Sequence, residues 1–148
     1  MKMNWNVCKI LAVLMIMFTS TLFAGSRESL DKVLKDYIGL YQKDTLEQWK
    51  TLFHPSARVF FPDEKGEVNV RDLQEFYERQ KNYFARRKSI NERLENVQVF
   101  EGNRIARVTA DFIFIDEGVE SPGKLGLHLV EGKDGWKIVA VLFSYDKS

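Results

Sequence analysis

One imidazole sits where a proton could be handled away from bulk water. His128 interrupts the alternating run Leu125-Gly126-Leu127-His128-Leu129-Val130, and histidine can take or give a proton near neutral pH. A positioned acid/base group contributes about 10²–10⁴ in rate. If the preceding hairpin sets even residues opposite even, His128 shares a face with Phe112 and Phe114. A one-residue slip carries it to the other face, beside Asp111. A hydrogen-bonded structural histidine is the commoner fate of such a residue. Tyr37 and Tyr41 bring hydroxyls that need partners once buried, so Tyr37 and His128 form the catalytic pair that residue types suggest. The other histidine, His54, precedes Pro55 and reads as exposed.

Around these groups stands an aromatic set: Tyr37, Tyr41, Trp49, Phe53, Phe61, Phe112 and Phe114. Such residues with few polar partners suit a pocket for a small apolar or amphipathic molecule. The same spacing describes a filled core, and for Trp49 and Phe53 the core comes first. Other chemistries lack their parts. Two distant histidines without a His-x-x-x-His pair, and scattered carboxylates, offer no metal site. No glycine-rich dinucleotide or phosphate loop is present, Ser121 and Ser144 have no nucleophile-elbow context, and no cofactor is expected. The run Arg86-Arg87-Lys88 reads as a complement to a helix dipole. With 22 basic against 21 acidic residues, a nucleic-acid partner is not expected.

The elements that must hold these residues begin after residue 24. Lys2 and Lys9, the apolar stretch Ile10–Phe18 and Ala24-Gly25 read as a signal peptide over 1–24, cleaved after Ala24. The apolar stretch falls short of the roughly 20 residues of a spanning helix, so a secreted or periplasmic domain over 25–148, without stable membrane insertion, is expected. The only cysteine, Cys8, leaves with the signal.

Leu30, Val33, Leu34, Tyr37, Ile38 and Tyr41 predict a helix near 29–43. Asp44 with Glu47 predicts a capping box for a second helix carrying Leu46, Trp49 and Phe53 and ended by His54-Pro55. A strand over 57–61, a turn over 62–66 and a short strand over 67–70 follow. A third helix, capped by Asn69 or a neighbour, presents Leu73, Phe76, Tyr77, Gln80 and Phe84. Period-two patterning then predicts an antiparallel meander at 89–100, 104–115, 124–131 and 136–145, with a loop containing Ser121-Pro122-Gly123. The last strand is apolar on both faces, so the side away from the helices is expected to meet a second copy in a homodimer.

The passage Phe53-His54-Pro55-Ser56-Ala57-Arg58-Val59-Phe60-Phe61-Pro62, then Leu73-Gln74-Glu75-Phe76-Tyr77, and the closing Asp134-Gly135-Trp136-Lys137-Ile138-Val139 carry a resemblance. Over 29–145 the chain resembles the nuclear transport factor 2-like superfamily, in its SnoaL-like and ketosteroid-isomerase-like branches. The resemblance implies an α+β, cone-shaped fold: a curved antiparallel sheet wrapped around a long helix, with two further N-terminal helices, an apolar pocket and dimers through the outer sheet face. Isomerase-like members place a general-base Asp just before a Pro near the end of the first strand; here Phe61 precedes Pro62, and that chemistry does not carry over. The expectation is an exported small-ligand-binding domain of the SnoaL-like type. The alternatives are a cofactor-independent isomerase, cyclase or dehydratase using His128 with a tyrosine, or a protein-interaction module.

Overall fold

The computed structural model describes residues 29–146; the expected signal segment and its cleavage point lie outside the described residues. The chain divides into a unit over Met1–Lys32 and a larger one over Val33–Ser148, and the architecture that follows belongs to the larger.

Among the described residues helix α1 covers 29–39, short of the expected end at 43. The chain turns there because Tyr41 N bonds Ile38 O at 3.3 Å and Gln42 N bonds Leu40 O at 2.8 Å. Tyr41, past the helix, is nevertheless buried. Helix α2 is Leu46–Lys50, with Thr45 rather than Asp44 at its N-cap and no side-chain cap. The expected capping box fails because both hydroxyl and carboxylate are engaged elsewhere. Thr45 Oγ1 donates to Leu40 O at 2.9 Å, and Glu47 accepts from Tyr77 of the third helix.

Phe53 does not extend α2; it opens strand β1, Phe53–Pro62, opposite Ile138. His54 and Pro55 therefore lie in a strand instead of ending a helix. Proline is tolerated there because the register shifts between Phe53 and Arg58, an irregularity of the kind that leaves an N–H unneeded. The turn after β1 is tied by Asp63 Oδ1, which accepts from Lys65 N and Glu67 N, both at 2.9 Å. Strand β2 is Val68–Asp72 and includes Asn69. The cap of α3, Leu73–Ala85, is Asp72, which accepts from Glu75 N at 2.8 Å. The cap satisfies an otherwise orphaned helical N–H.

Strands β3 (Ile90–Glu101), β4 (Ile105–Asp116), β5 (Val119–Gly132) and β6 (Gly135–Tyr145) form the meander. The six strands lie in the order β2-β1-β6-β5-β4-β3. All neighbours are antiparallel except β1 and β6, which run parallel, so the sheet is mixed. It bends where β3 breaks register between Glu95 and Gln98 and β5–β6 between His128 and Leu129; such extra residues kink a strand and raise its twist.

The β4–β5 connection differs most from expectation. The strands turn on Glu117-Gly118, with φ of 51° and 89°, and Ser121-Pro122-Gly123 lies inside β5 instead of in a loop. Positive φ at both central residues suits the twist of a two-residue hairpin. This turn pairs Ala106 with Leu129, Val108 with Leu127 and Phe112 with Gly123. Even residues of β4 therefore share the core face with odd residues of β5, and both sets are buried.

Candidate functional site

The core face encloses a cavity of about 590 Å³. Its wall on one side is built from Tyr37 and Tyr41, Trp49 of α2 and Phe76 of α3; the sheet contributes Phe112, Phe114 and Phe143. Trp49 organises the first group. Its ring lies 5.0 Å from Tyr41 and 5.6 Å from Tyr37, and its Nε1 donates to the Tyr37 carbonyl at 2.9 Å. Tyr41 donates its hydroxyl to Gln80 Oε1 at 2.8 Å, tying the segment after α1 to α3. The Tyr37 hydroxyl has no hydrogen-bond partner among the described residues. The sheet side depends on Gly123. A Cβ there would meet the Phe112 ring at 2.4 Å and Ser144 O at 2.4 Å, so the missing side chain is the space that Phe112 occupies.

Glu92 of β3 enters the same cavity, on the core face opposite Phe114. Burial pushes its carboxyl up to about 7. Burial also raises Tyr37 and Tyr41 well above the usual phenol value, and the nearby Glu92 charge adds to it. Tyr145 is pushed up to about 12, again by burial first and Glu92 second. At neutral pH the phenols are hydrogen-bond donors that hold their protons, and Glu92 is split between acid and carboxylate. A carboxyl poised in this way can exchange a proton with a bound molecule.

Charge of the other sign borders the cavity. Arg71, Arg79 and Arg86 line it, together with Gln80 and Asn82. Glu75 Oε1 lies 3.4 Å from Arg71 Nε and 3.1 Å from Arg79 Nε. The Arg71 guanidinium sits 4.4 Å over the Phe61 ring. Among the described residues no group of three or more His, Cys, Asp or Glu is placed to hold a metal ion.

The structure brings together Tyr37, Tyr41, Trp49, Phe112 and Phe114 from the set singled out in the sequence. Phe53 stands behind Trp49 at 4.5 Å, outside the lining. Phe61 stacks on Phe143 at 5.2 Å and borders a separate hollow of about 640 Å³. His128 is exposed on the opposite face, paired with Arg107 and Ala140, because the two-residue hairpin sets odd opposite even. It cannot act with Tyr37 in the cavity. His54 is exposed and bonded to Ser56 Oγ at 2.6 Å.

Glu92 and the arginines were missed. Glu92 did carry a signal: it stands between Ile90 and Leu94, a carboxylate at a position where period two calls for an apolar residue. The run Arg86-Arg87-Lys88 follows α3 instead of filling its last turn, and its members part company. Arg87 pairs with Asp116 at 3.1 Å, while Arg86 lines the cavity.

No curated protein matches the chain by sequence. Solved structures do match by fold. An NTF2-like protein with a cystatin-like fold from Novosphingobium aromaticivorans, 11% identical, superposes with a TM-score of 0.70 over 89% of this chain and 90% of that one. A candidate scytalone dehydratase from the same organism, 15% identical, gives 0.67 over 87% and 89%. A candidate ketosteroid isomerase from Shewanella frigidimarina, 21% identical, gives 0.62 over 78% of this chain and 94% of that one. At these identities the likeness is one of fold. The family profile described as the SnoaL-like domain matches residues 30–146. That span takes in the aromatic wall, Glu92 and all six strands, and the chain therefore belongs to the SnoaL-like domain family.

Proposed function

We propose that the chain is an exported, dimeric domain that takes a small apolar or amphipathic molecule into its aromatic cavity. The observation that carries this reading is the cavity itself: about 590 Å³, within the range of about 300–1,000 Å³ typical of small-molecule sites, walled by aromatic rings and bordered by charged and amide side chains. The signal-like segment over 1–24 supports export. Exposed Phe100, Ile105, Val130 and Leu142 on the sheet face away from the cavity support a partner there. Native mass spectrometry of protein from an exporting host tests all three parts. The expected species is a dimer whose chains begin at Gly25 and which carries a discrete adduct. A clean monomer that retains residues 1–24 would overturn export and dimerisation together.

A second reading is favoured by Glu92 among tyrosines that keep their protons: a cofactor-independent isomerase or dehydratase with Glu92 as acid/base. His128 has no part in it. Two structures of similar fold bear the names of candidate dehydratase and isomerase. If the adduct proves to be a substrate, turnover should follow an apparent pKa near 7, the value to which burial pushes Glu92. Glu92→Gln should then lower kcat at least about a hundredfold while the molecule still binds. Full turnover in that variant would sink the enzymatic reading and leave the binding one.

A further inference from the structure

The charges on the cavity wall are unequally distributed. Three guanidiniums line it, and Glu92 is the only carboxylate among the lining residues. Arg79, Asn82 and Arg86 are spaced by three and four, so they follow one edge of α3. Phe76 and Tyr83 mark the adjoining apolar edge, and Arg71 approaches from β2 on the same core face as Val59. The other charged groups of the helix are engaged away from the cavity. Glu78 accepts from Gln74 Nε2 at 2.9 Å, and Lys81 sits over the Tyr77 ring at 5.7 Å. Glu75 alone serves both Arg71 and Arg79, through one oxygen, and Arg86 makes no ion pair among the described residues.

One carboxylate shared by two guanidiniums leaves them short of negative charge. Burial lowers the Arg71 pKa, and Arg79 lowers it further against the opposing pull of Glu75. Guanidinium groups present planar forks that fit an oxyanion. The rings beyond them offer an apolar wall that a free inorganic anion would not use.

We propose that the cavity's ligand is an amphipathic organic anion, whose oxyanion is held by Arg71, Arg79 and Arg86 and whose apolar body lies among Tyr37, Trp49 and Phe112. The proposal rests on the ligand-cavity reading above and narrows it. It also gives Gln80 a place, as a neutral hydrogen-bonding group that already accepts from Tyr41 in the aromatic wall.

Two fluorescent probes with one ring system separate the possibilities. Anilinonaphthalene sulfonate carries the anion, and N-phenylnaphthylamine lacks it. With the wild-type protein at low salt the sulfonate should bind about tenfold more tightly than the neutral probe, an advantage that shrinks as salt is added. In the double variant Arg79→Gln, Arg86→Gln the advantage should vanish while the neutral probe keeps its affinity. Both arginines are solvent-exposed, so the variant is expected to fold, which circular dichroism checks. A second double variant, Lys65→Gln with Lys133→Gln, removes the same charge from exposed turns and should keep the advantage. Equal affinity of both probes for the wild-type protein would overturn the anion and leave the cavity reading intact. An equal loss in the lysine variant would also overturn it, because net charge alone would then explain the preference. If neither probe binds, the cavity reading fails and the proposal fails with it.

Discussion

Glu92 shows how a single carboxyl can set the pH response of this domain. Below about pH 4.5, its ordinary value, it is protonated in the folded and the unfolded chain alike. Between 4.5 and about 7 the unfolded chain has lost this proton and the folded chain still holds it, so stability falls as pH rises. Above about 7 both forms are ionised and the penalty no longer grows. Glu92→Gln is therefore expected to stabilise the protein at pH 8 by about 1–3 kcal/mol and to change little at pH 4. Urea unfolding at the two pH values checks this, and an equal effect at both would show that the carboxyl is solvated. The aromatic part of the site was legible in the sequence because Tyr37, Trp49, Phe112 and Phe114 stand at helical or alternating spacing within their own elements. Glu92 was passed over although its neighbours Ile90 and Leu94 flagged the position. A charge in an alternating strand is read as the wet face, and only the tertiary register shows that it turns inward.

At the scale of elements, the site depends on how β5 lies between β4 and β6. Gly123 lets the Phe112 ring and the Ser144 carbonyl close over it, each at 2.4 Å from where a Cβ would stand. Gly123→Ala should cost about 1–3 kcal/mol through overpacking, since one of the two contacts is backbone and cannot rotate away. Gly126→Ala, whose nearest neighbour would be Leu142 Cβ at 3.8 Å, should change stability by less than about 0.5 kcal/mol. Thermal unfolding of the two variants side by side tests the difference, and equal costs would mean that Phe112 has another place to go. The same stretch defeated sequence reading. Ser121-Pro122-Gly123 has loop composition, yet it is strand, because Glu117-Gly118 had already turned the chain. Helix α2 misled for a related reason. Glu47 has the spacing of a capping box, but Tyr77 claims its carboxylate, and nothing local to Asp44 reports a contact thirty residues away.

On the scale of the whole molecule, the sheet separates two environments. Its inner face holds the cavity, and its outer face carries exposed Ile105, Val130 and Leu142, at 60%, 41% and 45% exposure. Under the dimer proposal, Val130→Lys with Leu142→Lys should yield a folded monomer by analytical ultracentrifugation, since two like charges brought into an apolar contact go unpaired. A variant that still sediments as a dimer would place the contact elsewhere. The order of elements and the meander could be read from the sequence, because they follow from patterning that repeats over many residues, while the cone-shaped fold class came from the family resemblance. The parallel pairing of β1 with β6 could not, since no short stretch encodes which strand meets which across the chain. The hairpin at Glu117-Gly118 also bears on how such a domain could acquire new chemistry in evolution or design. Point substitutions along β5 can change only what already faces inward. Inserting or deleting one residue at the turn would exchange the two sides of the strand, sending Leu127 and Leu129 out and bringing His128 in. In this domain a change in chain length at one turn would move a whole row of side chains, His128 among them, between solvent and core.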